Sequence, residues 1–218
     1  LLIAALVYSF FVGENYRLAG FLTVLSYGAA AVLALGLTEV QHQDKPASAR
    51  DFAASLRQIF RNKKLVLLIL SAALIAETHQ TITVFLAQQK YSLLSMSGMH
   101  IGLAFILLCM AGVIGARFSA SALKIFSRRK LGVLLILCAA LACAVLAFAN
   151  NALLAVAAVL LLRLGFSMFA PMSAQLQNEQ VQTSNRATEL SVNALLISSA
   201  GVVTNLVYGR LAEESLSL

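Results

Sequence analysis

The sequence has no tryptophan, only two prolines and three cysteines, and few charges: 11% of its 218 residues are Asp, Glu, Lys or Arg. Each shortage excludes something. A soluble domain carries roughly 25% charged residues, so this chain cannot coat a soluble surface, and a soluble enzyme domain is excluded. A disordered chain needs low hydrophobicity, whereas this one is 60% hydrophobic with a mean hydropathy of +0.86. Cys109, Cys138 and Cys143 lie inside apolar runs, form no CxxC pair and have no His at ligand spacing. They read as small buried hydrophobes, which excludes a disulfide scaffold and implies no metal. So few prolines leave little to break a helix, and the missing tryptophan removes the usual interfacial anchors. What remains is the composition of a protein embedded in a bilayer.

Uncharged runs mark the spans. Residues 18–38, 91–116 and 190–209 are uncharged or nearly so, and 65–89 is interrupted only by Glu77. The run 131–162 is too long for one helix and carries Asn150-Asn151 in its middle, which reads as a tight turn between two antiparallel helices. A helical span needs about 20 apolar residues, and a barrel strand only 9–11 with alternation. No alternation is present. The expected fold is an all-α polytopic bundle of seven spans at 1–12, 18–38, 65–88, 97–119, 131–149, 152–177 and 189–210. The first span is short and reads as the tail of a helix, so the chain is expected to be part of a longer protein. No basic n-region or small-residue cleavage site suggests a signal peptide.

The net charge is +7 and the pI near 9.7. In a soluble protein this would suggest nucleic-acid binding; here the distribution decides. One set of alternate loops holds Lys45, Arg50, Arg57, Arg61, Lys63, Lys64, Lys124, Arg128, Arg129, Lys130 and Arg186, eleven in all. The other set holds Arg17, Lys90 and Arg210. The positive-inside rule places the first set, loops 39–64, 120–130 and 178–188, in the cytoplasm. The basic pI is then a topology signal, and no nucleic-acid partner is implied. Within 39–64, Gln41 to Pro46 reads as a linker and Ser48-x-x-Asp51 as a capping box opening a short helix. Phe52, Leu56, Ile59 and Phe60 share one face, and Arg50, Arg57 and Arg61 fall largely on the other. Such a helix lies on the inner membrane surface or forms a solvated linker.

Two charges fall near the bilayer centre, where cost makes an ionisable residue informative. Glu77 is near the middle of 65–88 and Arg163 near the middle of 152–177. They pair structurally, or Glu77 carries a proton while Arg163 tunes it or faces an anionic group. Around Glu77 stand Thr78, His79, Gln80, Thr81 and Thr83. Helical spacing puts Glu77, Gln80 and Thr81 on one face and His79 on another. Threonine hydroxyls can satisfy freed carbonyls, so this span is expected to unwind locally. Such a patch either binds solute or glues helices together. Arg117, near a span end, snorkels. Gly98, Gly102, Gly112, Gly115 and Ser119 offer small faces for helix packing. Pro171 is expected to kink its span. Asn193, Ser198, Ser199, Thr204 and Asn205 line a cavity or bridge helices. No GxSxG, HExxH, P-loop or GxGxxG motif is present, so no enzyme active site and no cofactor is implied.

Several stretches resemble the major facilitator superfamily of secondary transporters. Ser184-Asn185-Arg186-Ala187-Thr188-Glu189-Leu190-Ser191, leading into a span that ends Tyr208-Gly209-Arg210, resembles the start of the eleventh helix in drug-exporter-like bacterial members. Gly165 and Pro171, with the polar loop beyond, resemble the end of the tenth helix. Tyr16-Arg17-Leu18-Ala19-Gly20-Phe21, closing at Glu39, resembles the sixth. The resemblance implies that 1–38 is the end of an N-terminal six-helix half, beginning inside helix 5. Residues 39–64 become the central cytoplasmic loop, and 65–218 become helices 7 to 11 of the C-terminal half, without helix 12. The remaining helices of the transporter would then be partners of this stretch. In that fold the seventh and tenth helices line the cavity, which raises the functional reading of Glu77 and Arg163. One departure stands in the loop before helix 9. It reads Ser121-Ala122-Leu123-Lys124-Ile125-Phe126-Ser127-Arg128-Arg129-Lys130, with Ile125 where the family motif carries Asp. The missing Asp speaks against a charge-relay gate in this loop, and Arg128, Arg129 and Lys130 then set topology. The expected function is alternating-access transport of a small molecule across a bacterial inner membrane, by proton-coupled efflux. The site would comprise Glu77, Arg163, Gln80, Thr81 and His79, with Asn193, Pro171 and Arg129 in cavity or gating positions. The alternative is uptake of a polar or anionic solute gripped by Arg163 and the Thr/Gln cluster. A membrane-embedded enzyme or polytopic sensor is more remote.

Overall fold

The computed structural model describes residues 16–37, 49–180 and 186–216. The partial span at 1–12, the linker Gln41–Pro46 and Ser48 of the capping box lie outside the described residues. Among the described residues every regular element is helical. They are α1 (Tyr16–Leu35), α2 (Ala49–Arg61), α3 (Lys63–Gln80), a π-helical segment (Thr81–Leu86), α4 (Ala87–Leu93), α5 (Gly98–Ile125), α6 (Arg128–Phe148), α7 (Ala152–Gln180) and α8 (Arg186–Leu216). Five stretches are long and apolar enough to cross a membrane: Lys63–Leu93, Gly98–Ile125, Arg128–Phe148, Ala152–Glu179 and Leu190–Leu211. The fold is an all-α membrane bundle. The five spans expected between 65 and 210 are all present, and α3, α5, α6 and α8 each continue through basic residues beyond the uncharged run. Long basic side chains allow this, because they reach the headgroup region while the backbone stays helical.

Short polar residues start the helices. Asn62 Oδ1 accepts from the Leu65 N–H at 3.2 Å, Ser97 Oγ from His100 at 3.4 Å and Ser127 Oγ from Lys130 at 3.4 Å. Asn151 Oδ1 accepts from Leu154 at 2.8 Å. The Asn150-Asn151 pair is thus the tight turn its position indicated, with the second Asn capping α7.

Packing runs chiefly through α5 on α7, α6 on α7 and α3 on α8, with a lesser contact of α3 on α7. The interior is rich in small residues. Ala104, Ala142, Ala155 and Ala158 sit with Val159 and Leu162 in one buried cluster. Without a hydrophobic drive between helices in lipid, close backbone approach and van der Waals contact hold such an interface. Outward, Leu67, Leu137, Leu141, Val202 and Leu206 are exposed. A soluble protein could not carry so many large apolar side chains in contiguous patches, whereas a bilayer solvates them.

The α5–α7 crossing rests on a stripe of small residues. A methyl group on residue 115 would stand 2.6 Å from the Leu164 carbonyl oxygen and 2.9 Å from Ser167 Cβ. One turn on, Ser119 Oγ donates to the Met168 carbonyl at 2.8 Å. Gly98 does not belong to the stripe, since a methyl there would meet nothing within 4 Å. The basic helix α2 divides its apolar face. Ile59 is buried with Leu65, Ile69 and Val192, against α3 and α8, while Phe60 stays exposed.

At the basic end, Arg128 donates two hydrogen bonds to the Glu179 carboxylate, at 2.6 and 2.8 Å, and Gln175 Nε2 supports the same carboxylate at 3.0 Å. The pair ties the start of α6 to the end of α7. Both partners are nearly half exposed, and exposed pairs contribute little. Arg128→Ala is expected to shift the thermal midpoint by less than about 2 °C in a melting assay on the detergent-purified protein.

Candidate functional site

The midpoint of Lys63–Leu93 carries the polar sequence from Glu77 to Thr83, and the helix there departs from α geometry. Thr81-Ile82-Thr83-Val84 is a run of β-branched residues, which crowd the preceding turn of an α-helix. From Thr81 to Leu86 the backbone widens into a π-helix, and the Ala87 N–H donates to Ile82 O, five residues back. Thr83 Oγ1 donates to the His79 carbonyl at 2.8 Å. The expected local unwinding thus takes the form of a widened turn, in which a threonine hydroxyl satisfies a carbonyl. π segments inside α-helices frequently accompany functional sites.

Glu77 faces α8. Asn205 Nδ2 donates to Glu77 Oε2 at 3.4 Å, and Asn205 Oδ1 accepts from Thr81 Oγ1 at 2.7 Å. Thr78 Oγ1 and the Tyr208 hydroxyl are 3.1 Å apart and share a hydrogen bond. Asn205, left between lining and bridging by its sequence position, bridges the two helices. The carboxylate fits only because α8 has no side chain at 201: a methyl group there would stand 2.6 Å from Glu77 Cδ and 2.8 Å from Oε1. The obstructed atoms are the end of a flexible side chain rather than backbone. Gly201→Ala is therefore expected to leave expression and thermal midpoint close to wild type while pushing the carboxylate off Asn205. The readout is a displaced pH profile of transport.

Arg163 is seated elsewhere. A methyl on Gly112 of α5 would stand 2.9 Å from Arg163 Nε, so the guanidinium lies in a slot between α5 and α7. Among the described residues no ion pair joins Arg163 to Glu77; the pair that forms is Arg128–Glu179. The two midplane charges are each half-buried and each lie against a glycine of a neighbouring helix.

His79 lies on the side of α3 turned toward α7. It is 4% exposed and stacks on Phe166, with ring centroids 4.0 Å apart and planes at 13°. Phe166 is one turn beyond Arg163 on the same helix. The remaining residues do not join this group. Gln80 is exposed while Thr81 is buried, so the face shared by Glu77 and Thr81 excludes Gln80. The reason is angular: positions three and four residues on lie on opposite sides of Glu77, and α8 covers only one side. Asn193 is 2% exposed on α8, and neither polar atom of its side chain has a hydrogen-bond partner. Pro171 is exposed within a continuous α7, and Arg129 is exposed at the start of α6. Sequence reasoning missed Gly201 and Phe166, and no local signal marks either: each matters only through the residue opposite.

A family model described as Major Facilitator Superfamily matches residues 1–204. No curated protein and no solved structure matches the chain.

Proposed function

The chain belongs to the Major Facilitator Superfamily, a family of secondary transporters, and we propose that it exports a small molecule in exchange for protons, with Glu77 as the coupling carboxylate. One observation carries this reading: Glu77 is a half-buried carboxylate at the middle of a span, held by Asn205 and by no cation among the described residues. A bare carboxylate at that depth is costly. Binding a proton or a cationic solute removes the cost, and alternation between the two is the logic of an antiporter. Export, as the direction, rests on the likeness of 184–191 to the eleventh-helix start of drug-exporter members.

Charge asymmetry supports a bacterial inner-membrane orientation with loops 39–64, 120–130 and 178–188 in the cytoplasm. On this reading 39–64 joins two six-helix halves, with 1–38 closing one and 65–218 belonging to the other. Asn193, Pro171 and Arg129 take cavity or gating positions, and Gln80, being exposed, meets solute rather than helix.

A second reading has its own observation. Arg163 forms no ion pair among the described residues, and a free guanidinium beside His79 is suited to an anionic group. It would then grip a polar or anionic solute taken up by the same fold. The experiment reconstitutes the full-length protein in vesicles, imposes a pH gradient and follows a panel of cationic, neutral and anionic solutes. Gradient-driven movement of cations, abolished by a protonophore, supports antiport. Anion movement that needs Arg163 but persists in Glu77→Gln supports the second reading and overturns the first.

A further inference from the structure

α6 is the least buried of the five spans. One side of it, with Leu131, Leu135, Ala142 and Leu146, is buried in the two clusters it shares with α7. The opposite side carries an exposed stripe, Val133, Leu137 and Leu141, flanked by Leu134. A spacing of four residues keeps the stripe on one helix face. It ends at Arg129 and Lys130, which with Val133, Leu134 and Leu137 line an open groove at the basic end of the helix. The three cations that open α6 are not equivalent. Arg128 is held by Glu179, whereas Arg129 and Lys130 are exposed and join no ion pair among the described residues. The connecting turn adds no counter-charge: Ser121 to Lys130 contains no Asp or Glu, and Ile125 and Phe126 are exposed apolar residues. Apolar side chains interleaved with basic ones suit the headgroup boundary of a bilayer.

We propose that this groove holds an anionic phospholipid, its headgroup at Arg129 and Lys130 and one acyl chain along Val133, Leu137 and Leu141. Two features coincide there: a pair of cations without a protein partner, and an apolar track that begins beneath them. From Val133 to Leu141 the track is about 12 Å long, most of the roughly 15 Å depth of one hydrocarbon leaflet. The guanidinium presents a planar fork to phosphate oxygens, and the ammonium adds a point charge beside it. A free phosphate leaves the track empty. A zwitterionic headgroup brings a cation of its own against two others. Only a lipid with net negative charge satisfies both ends of the groove.

The sequence carries no tryptophan, so one placed in the groove can report on it. The experiment reconstitutes full-length Leu137→Trp protein in vesicles of equimolar phosphatidylglycerol and phosphatidylcholine with matched acyl chains. Emission of the protein without this substitution is subtracted, so the difference reports residue 137. In one preparation the phosphatidylglycerol is dibrominated at mid-chain, in the other the phosphatidylcholine. Bromine quenches tryptophan on contact, so the two quenched fractions give the occupancy of the groove by each lipid. Occupancy is expected to favour phosphatidylglycerol by about tenfold. Adding Arg129→Gln and Lys130→Gln together is expected to bring the ratio to within about twofold of one, with the tryptophan still quenched. If that variant fails to reconstitute, Lys130→Gln alone and raised salt are read in its place, each expected to lower the ratio by about threefold. A ratio near one in the Leu137→Trp protein means that lipid wets α6 without selection, and it overturns the proposal. Absence of quenching by either lipid means that protein covers this face, which overturns it too. So does a preference that survives both removal and screening of the cations, since another group then selects the headgroup.

Discussion

Glu77→Gln is expected to lower gradient-driven transport by about tenfold or more while leaving the protein folded. The substitution keeps the shape of the side chain and an oxygen for Asn205 Nδ2, so the α3–α8 seam with its Thr81–Asn205 bond at 2.7 Å survives. It removes the one property a glutamine cannot supply, exchange of a proton. The variant also removes a charge that no cation balances among the described residues, so its thermal midpoint is expected to equal or exceed that of wild type. The two measurements together are discriminating. Normal transport with unchanged proton dependence would sink the coupling assignment. Loss of folded protein would show that the carboxylate holds the helices together. Arg163→Ala completes the comparison. A guanidinium seated against Gly112 of α5 is not needed by Glu77, so the two single variants are expected to show independent effects on stability.

Gly115→Leu is expected to have the largest effect on folding. A single added methyl already meets the Leu164 carbonyl at 2.6 Å, and that atom is backbone, so it cannot rotate away. The α5–α7 crossing would have to open, which breaks the Ser119–Met168 hydrogen bond and the surrounding contacts. Overpacking of this kind costs about 3 kcal/mol or more when backbone must move. Size-exclusion profiles of detergent extracts should show loss of the monodisperse peak. Gly98→Leu is the control. It lies on the same helix with open space around it, and is expected to extract and elute as wild type. Similar behaviour of the two variants would refute the claim that this stripe sets the crossing.

The spans were legible in the chain because the bilayer imposes a simple rule: about 20 residues without charge, in a helix, with every backbone group satisfied inside it. The turn at Asn150-Asn151 was legible for a similar reason, since a 32-residue uncharged run cannot be one span and the Asn pair is its polar break. The ends of the helices were less so. Lys63, Lys124 and Arg128 lie in helix, since a long basic side chain does not stop a helix as it stops a hydropathy run. The candidate site was half legible. Cost alone singled out Glu77 and Arg163. Whether the two met was beyond periodicity, which gives the angle of a residue on its own helix and says nothing of the neighbour at that angle.

The same division holds for the whole molecule. By itself, the sequence determined the solvent, the helical class, the five spans between 65 and 210 and the placing of two charges within them. These depend on composition and on distance along one chain. Only the tertiary structure decided that Glu77 turns to Asn205 and Gly201, that Arg163 fits against Gly112, that His79 stacks on Phe166 and that Gln80 is left outside. Helix packing in lipid is selected by the fit of small residues across an interface, and that fit belongs to pairs of surfaces rather than to either sequence segment alone.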